Sequence, residues 1–79
     1  MPVQITIIGL GQIGASIGLA LKARGTNITI VGHEKEPRTA KAAQDAGAVD
    51  TWKYNLPDSV RDAHIVILAV PFADVRGTL

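Results

Sequence analysis

The 79-residue sequence contains no cysteine, few aromatic residues and no large excess of either charge. Without cysteine the chain can form neither a disulfide framework nor a thiolate metal site, and the isolated His33 and His64 do not make a metal site either. The formal net charge is +1, and lysine and arginine are scattered rather than clustered, which argues against a nucleic-acid surface. We therefore expect neither a metal nor a nucleic acid as a ligand.

Long apolar runs are also absent from the sequence. No segment approaches the roughly 18 apolar residues that a membrane-spanning helix needs, and the N-terminus enters a strand pattern without a basic leader or cleavage site. A content of 47% hydrophobic and 19% charged residues is typical of a globular domain with a buried core. We expect a soluble, unprocessed, cytoplasmic protein that does not bind membranes.

Glycine, in contrast, is concentrated in one turn near the start of the chain. Gly9, Gly11 and Gly14 follow an apolar strand pattern and precede a helical one. In this spacing the first glycine allows a tight turn, the second lets a diphosphate approach the backbone, and the third lets the helix pack closely on the strand. The free N–H groups and the dipole at the helix start favour an anion there. The turn predicts dinucleotide binding.

The helix after this turn has a clear pattern of its own. Ile13, Ile17 and Leu21 recur four residues apart on one face, and Gly14 and Gly18 provide a stripe for close packing. Gly25 is expected to end the helix. A glycine-rich turn that binds nothing is the structural alternative for the whole segment.

The rest of the chain alternates strand and helix patterns. They are strands at 28–31, 48–52 and 64–70, helices starting at Pro37 and within 55–63, and the opening of a further helix from Phe72. Strand-helix-strand crossovers make the strands parallel, and the long crossover to the fourth strand predicts the order 3-2-1-4. The fourth strand is almost wholly apolar, as in the middle of a sheet covered on both faces. We expect an α/β fold in which residues 1–79 form the first half of a Rossmann-type doubly wound parallel sheet, so that the domain is truncated.

An acidic residue stands where the second strand ends. In a dinucleotide-binding fold a carboxylate at the position of Glu34 accepts hydrogen bonds from the adenosine ribose hydroxyls and repels a 2′-phosphate. This favours NAD, although Lys35 and Arg38 could tolerate the phosphate of NADP, which is the less favoured cofactor. A solvated glutamate without a ligand is the alternative for Glu34. His33 is expected to be a loop residue beside the adenine.

The predicted cofactor site joins the glycine turn to the acidic position and to the end of the fourth strand, across the crevice where the strand order reverses. Its residues are Gly9, Leu10, Gly11, Gln12, Ile13, Gly14, Glu34, Lys35, Ala69, Val70 and Pro71. No residue is assigned a catalytic role.

Several segments together resemble the N-terminal part of prephenate dehydrogenases. They are residues 7–18, 31–35, 46–50 and 63–71. The resemblance implies an NAD-dependent oxidative decarboxylation of prephenate, or a related reaction of arogenate, on the route to tyrosine. In this family the acidic ribose residue, more often aspartate, falls on Glu34, and an Ala-Val-Pro sequence falls on residues 69–71.

The resemblance carries no catalytic residue into this chain. The family's catalytic histidine, and the serine and arginine that handle the substrate, lie beyond the matching residues, and the helical dimerisation domain is absent. We expect a chain that binds NAD without dehydrogenase activity, and that self-associates through its open fourth strand. The alternatives are another reductase, such as a pyrroline-5-carboxylate reductase or a coenzyme F420-dependent NADP reductase, and a non-catalytic nucleotide-sensing domain.

Overall fold

The computed structural model describes residues 3–25 and 27–69, which form a four-stranded parallel sheet with helices on both faces. The elements in chain order are β1 (Val3–Ile8), α1 (Gln12–Arg24), β2 (Ile28–His33), α2 (Pro37–Asp45), β3 (Thr51–Lys53), α3 (Leu56–Val60) and β4 (Ile65–Leu68). The strand order is β3-β2-β1-β4. The predicted α/β fold and strand order are therefore confirmed. No helix in these described segments is both long and apolar enough to cross a membrane.

β1 lies between β2 and β4 and forms the centre of the sheet. Its residue Ile5 is opposite Ile30 on one side and Ile65 on the other. Alternation along the strand sends Ile5 and Ile7 to one face and Thr6 and Ile8 to the other. All four side chains of Ile5–Ile8 are buried. This is why β1 is nearly continuous in apolar residues instead of alternating.

The face of the sheet that carries Ile5 and Ile7 packs against α1 and α2. Ala40 and Ala43 of α2 belong to its buried core, and Ile17 and Leu21 of α1 pack against that core. Ile13, predicted to share this face, is instead 65% exposed, because it lies in the first turn of α1 beside the glycine turn.

Gly18 shows how closely α1 approaches the rest of the molecule. A Cβ atom at this position would collide with the backbone carbonyl oxygen of Ala48, which precedes β3. The fully buried residues of α1 are Gly14 and Gly18. The predicted close-packing stripe is thus present, and it brings the helix against backbone.

The opposite face of the sheet is covered in part by α3. The hydroxyl of Thr6 donates a hydrogen bond of 2.6 Å to the carbonyl oxygen of Ser59, and both residues are fully buried. The Ser59 hydroxyl in turn donates to the carbonyl oxygen of Asn55. The buried polar atoms of this contact therefore have partners, as the low-dielectric interior requires.

β4 lies at the edge of the described sheet and is only partly covered. Ile65, Val66 and Leu68 are 49%, 48% and 43% exposed. In the described residues only β1 pairs with this strand, so its apolar pattern, typical of a strand in the middle of a sheet, lies here at the open edge that the order 3-2-1-4 predicts. The helix predicted from Phe72 lies outside the described residues.

Candidate cofactor site

The glycine turn lies at the carboxyl end of the central strand. Gly9 has a φ of 95°, in the left-handed region that favours glycine. Its N–H donates a hydrogen bond of 2.9 Å to the carbonyl oxygen of His33, which joins the turn to the end of β2. A Cβ at Gly11 would meet nothing within 4 Å. The space beside Gly11 is therefore open to a ligand.

The third glycine is required by the turn itself. A Cβ at Gly14 would collide with the carbonyl oxygen of Gly9 and would lie 3.4 Å from the Cγ2 atom of Ile7. Any other residue at this position would push α1 away from the turn and from β1. The close packing predicted for Gly14 is thus present in the structure.

α1 begins without a capping side chain. Gly11 is its N-cap, and its first turn contains no acidic residue. The N–H groups of the first turn of a helix have no partner within the helix, and here no side chain replaces one. Together with the positive end of the helix dipole, these groups suit a phosphate.

The Leu10 side chain anchors the turn in the core instead of lining an open site. It is 2% exposed and packs over Gly32 of β2, where a Cβ would collide with its Cδ1 atom. Gly32 is not among the residues of the predicted site. A glycine within an otherwise β-branched strand was the available signal, since such a glycine marks close approach of another group.

The Glu34 carboxylate lies against the glycine turn. Its Oε1 atom accepts a hydrogen bond of 2.9 Å from the Leu10 N–H, and its Oε2 atom accepts bonds of 3.1 Å from the N–H groups of Lys35 and Glu36. The structure therefore brings together the two parts of the predicted site that are 20 or more residues apart in sequence. The Lys35 residue is exposed.

Three further predicted residues, Gln12, Ile13 and Ala69, border the same edge of the sheet. Gln12 and Ile13 are exposed at the start of α1. The Ala69 N–H donates a hydrogen bond of 2.8 Å to the Ile8 carbonyl oxygen, so the end of β4 lies next to the strand that leads into the turn. Val70 and Pro71 lie outside the described residues.

His33 is the last residue of β2 and is buried. The expectation of a loop residue is therefore wrong, because β2 continues two residues past the predicted end at Val31. Burial lowers the pKa of His33, and the nearby Lys35 lowers it further. The Glu34 carboxylate and a hydrogen bond to the Tyr54 backbone raise it, but the pKa remains below its usual value. The lowered pKa favours the neutral form of the imidazole.

A family model described as NADP oxidoreductase coenzyme F420-dependent matches residues 4–79. The chain belongs to this family. Among curated proteins, the chain is 40% identical over 70 residues to the prephenate dehydrogenase of Lactococcus lactis subsp. cremoris. It is 36% identical over 68 residues to the cyclohexadienyl dehydrogenase of Zymomonas mobilis.

These relatives are much longer than the chain. The two alignments cover 89% and 86% of this chain but 19% and 23% of the relatives. The chain thus spans about a fifth of the length of the curated relatives that it matches.

Solved structures agree with the sequence relatives. The arogenate dehydrogenase of Synechocystis superposes with a TM-score of 0.84 at 29% identity, over 96% of this chain and 26% of that one. The prephenate dehydrogenase of A. aeolicus, solved with hydroxyphenyl propionate and NAD+, has a TM-score of 0.84 at 23% identity, over 98% of this chain and 27% of that one, which shows the shared fold. The predicted resemblance to prephenate and arogenate dehydrogenases is confirmed.

Proposed function

We propose that residues 1–79 form the N-terminal, NAD-binding part of a prephenate or arogenate dehydrogenase. The observation that carries the proposal is the position of the Glu34 carboxylate against the uncapped glycine turn. These are the two groups that a dinucleotide needs for its adenosine ribose and its diphosphate. The relatives that the chain resembles are dehydrogenases of this class, and one was solved with NAD+.

The diphosphate is proposed to lie at the start of α1, beside Gly11. The open space at Gly11 lets phosphate oxygens reach the N–H groups of the first helical turn. Gln12 and Ile13 contribute these N–H groups through their backbone, while the end of β4 at Ala69, followed by Val70 and Pro71, borders the other side of the crevice.

The Glu34 carboxylate is proposed to select NAD over NADP. A 2′-phosphate carries up to two negative charges and would meet the carboxylate at close range. Lys35 and Arg38 are exposed, and exposed cations contribute typically less than about 1 kcal/mol to an ion pair. Repulsion by the carboxylate therefore outweighs their attraction.

An F420-dependent NADP reductase is the second candidate, because the description of the family names that activity. The Glu34 carboxylate disfavours it, and the curated relatives are prephenate and cyclohexadienyl dehydrogenases. The cofactor that binds more tightly, NAD or NADP, discriminates between the two candidates.

The reaction is proposed for the intact parent enzyme, a cytoplasmic homodimer acting on prephenate or arogenate. NAD accepts a hydride in such an oxidation. The residues of this chain hold and orient the cofactor, since none of them matches a catalytic position of the family. The 79-residue chain alone is proposed to bind NAD without forming NADH from prephenate.

The substitution Glu34→Ser tests the cofactor assignment. It removes charge-assisted hydrogen bonds worth about 1.5–3 kcal/mol, so the NAD+ affinity should fall roughly 10- to 150-fold while NADP+ affinity improves. Titration calorimetry with both cofactors measures the two changes. Glu36→Ser is the matched control, because it makes the same chemical change two residues away and serine still suits the N-cap of α2. Equal NAD+ affinity in Glu34→Ser and the wild type would remove Glu34 from the site.

A further inference from the structure

The Glu34 carboxylate accepts three hydrogen bonds from backbone groups within residues 3–25 and 27–69. One is the N–H of Leu10 in the glycine turn, and the other two are the N–H groups of Lys35 and Glu36. The carboxylate therefore connects the turn after β1 with the turn after β2. It does so alongside the backbone bond from Gly9 to His33.

The bond to Leu10 holds the backbone of the glycine turn, because Glu34 is the acceptor of the Leu10 N–H in the part of the chain that the structure describes. Leu10 is 2% exposed and its side chain is packed over Gly32. The hydrogen bond of its N–H to Glu34 is partly buried. Loss of the carboxylate removes this acceptor from a partly buried donor, which favours a shift of the turn that restores a partner. The same turn carries Gly11 and the start of α1, where the diphosphate is proposed to bind.

The number of acceptor positions on the Glu34 carboxylate supports a role for this side chain in hydrogen bonding within the chain. An ionised carboxylate offers about four such positions. The Oε2 atom uses two of them and the Oε1 atom one. A ligand can therefore take about one more hydrogen bond while the internal bonds persist.

We infer that Glu34 is a positioning residue for the diphosphate-binding turn, in addition to any contact with ribose. The inference rests on the proposed function, since it assumes that the turn binds a diphosphate. It has a distinct consequence: changes at Glu34 alter binding of a diphosphate that has no ribose at all.

Two uncharged variants of Glu34 separate the effect of its hydrogen bond to the turn from the effect of its negative charge. Glu34→Gln and Glu34→Met both remove the negative charge and keep a similar length, but only glutamine offers the Leu10 N–H an amide oxygen, since a thioether sulfur is a weak acceptor. Glu36→Gln is the control for the loss of a nearby charge, since the Glu36 side chain bonds to Arg38 and not to the turn.

Amide hydrogen exchange in the ligand-free chain measures the bond directly. Exchange at Leu10 should be about 10-fold or more faster in Glu34→Met than in the wild type, intermediate in Glu34→Gln, and unchanged within about twofold in Glu36→Gln. The amides of Ile7 and Ile30, in the core, report whether each variant is folded. Equal exchange at Leu10 in the folded glutamine and methionine variants would overturn the inference.

Inorganic pyrophosphate, which has no ribose, tests the consequence for binding. It should bind Glu34→Gln several-fold more tightly than Glu34→Met, with a similar ratio for NAD+. A ratio near one for pyrophosphate, with a large ratio for NAD+, would show that Glu34 acts through ribose alone. Failure of the wild type to bind NAD+ would instead contradict the proposed function, while exchange at Leu10, measured without ligand, would still decide the positioning role.

Discussion

At the scale of single residues, the glycines of one motif have different physical tasks. Gly14 is surrounded by the backbone of its own turn, whereas a side chain at Gly11 would enter open space. Sequence spacing predicts both positions but cannot tell which glycine the fold requires and which the ligand requires. The difference comes from the distances between atoms of α1 and the turn.

The pair Gly14→Ala and Gly11→Ala tests this division. Gly14→Ala should lower the free energy of unfolding by about 1–3 kcal/mol or more, since overpacking against backbone forces α1 to move. Gly11→Ala should leave stability unchanged within about 1 kcal/mol, because its φ of −68° suits alanine, but it should weaken NAD+ binding. Urea unfolding and calorimetric titration measure the two effects. Loss of stability in Gly11→Ala, or none in Gly14→Ala, would contradict the assignment.

At the scale of elements, Asp50 joins α1, β2 and β3 at the edge of the sheet away from the cofactor site. Its carboxylate accepts hydrogen bonds from Lys22 at 2.7 Å and from the Ile30 N–H at 2.7 Å. Its own N–H donates to the Ile30 carbonyl oxygen. Asp50 thus extends the pairing of β2 with β3 by one residue and holds the end of α1 beside it.

The acid dependence of stability should report this junction. Burial raises the pKa of Asp50. The hydrogen bonds from Lys22 and Ile30, together with the charge of Lys22, lower it by a larger amount, so the pKa lies below its usual value. The lowered pKa means that Asp50 contributes stability above about pH 4, where it is ionised in both states, and loses it as the pH falls through the folded-state pKa.

The substitution Asp50→Ala should lower the free energy of unfolding at pH 7 by about 1–3 kcal/mol and flatten its decrease below about pH 4. Asp50→Asn keeps an acceptor for the Ile30 N–H, so it should lower the free energy of unfolding less than Asp50→Ala does. It should flatten the decrease in acid equally. Urea unfolding across this pH range provides the measurement. If both variants lose stability in acid as the wild type does, other carboxylates cause this loss.

How much of the molecule could be predicted differs between elements. The apolar run of β1, the glycine turn and Pro37 at the start of α2 are local signals, and they predicted these elements and the strand order correctly. The burial of His33 and the anchoring of Leu10 over Gly32 depend on contacts between distant segments, so residue pattern alone did not show them. The open edge at β4 follows from the predicted strand order, whereas the exposed fraction of its side chains depends on which segments cover them, so the residue pattern did not give it.

At the scale of the whole molecule, β4 leaves a partly exposed apolar edge on the described sheet. Ile65, Val66 and Leu68 are partly exposed there, and an apolar edge strand is a template for pairing with another chain. The chain spans about a fifth of the length of its curated relatives. We therefore propose that the isolated chain self-associates through β4.

Val66→Lys should shift the isolated chain toward the monomer, because a lysine on an edge strand opposes pairing with a second strand. Light scattering at several concentrations measures the change in mass. Tyr54→Lys is the control, since Tyr54 is 67% exposed and directly follows β3, at the other edge of the sheet. A wild type that stays monomeric at high concentration, or an equal effect of both variants, would contradict association through β4.

The most direct test of the central claim, that this fold binds NAD at the glycine turn, is an NMR titration of the wild-type chain with NAD+ and NADP+. The account predicts saturable shifts of the amides of residues 9–14 and of Glu34, with NAD+ bound more tightly than NADP+, and little change at the Asp50 junction. No saturable shift at the glycine turn, or tighter binding of NADP+, would contradict it.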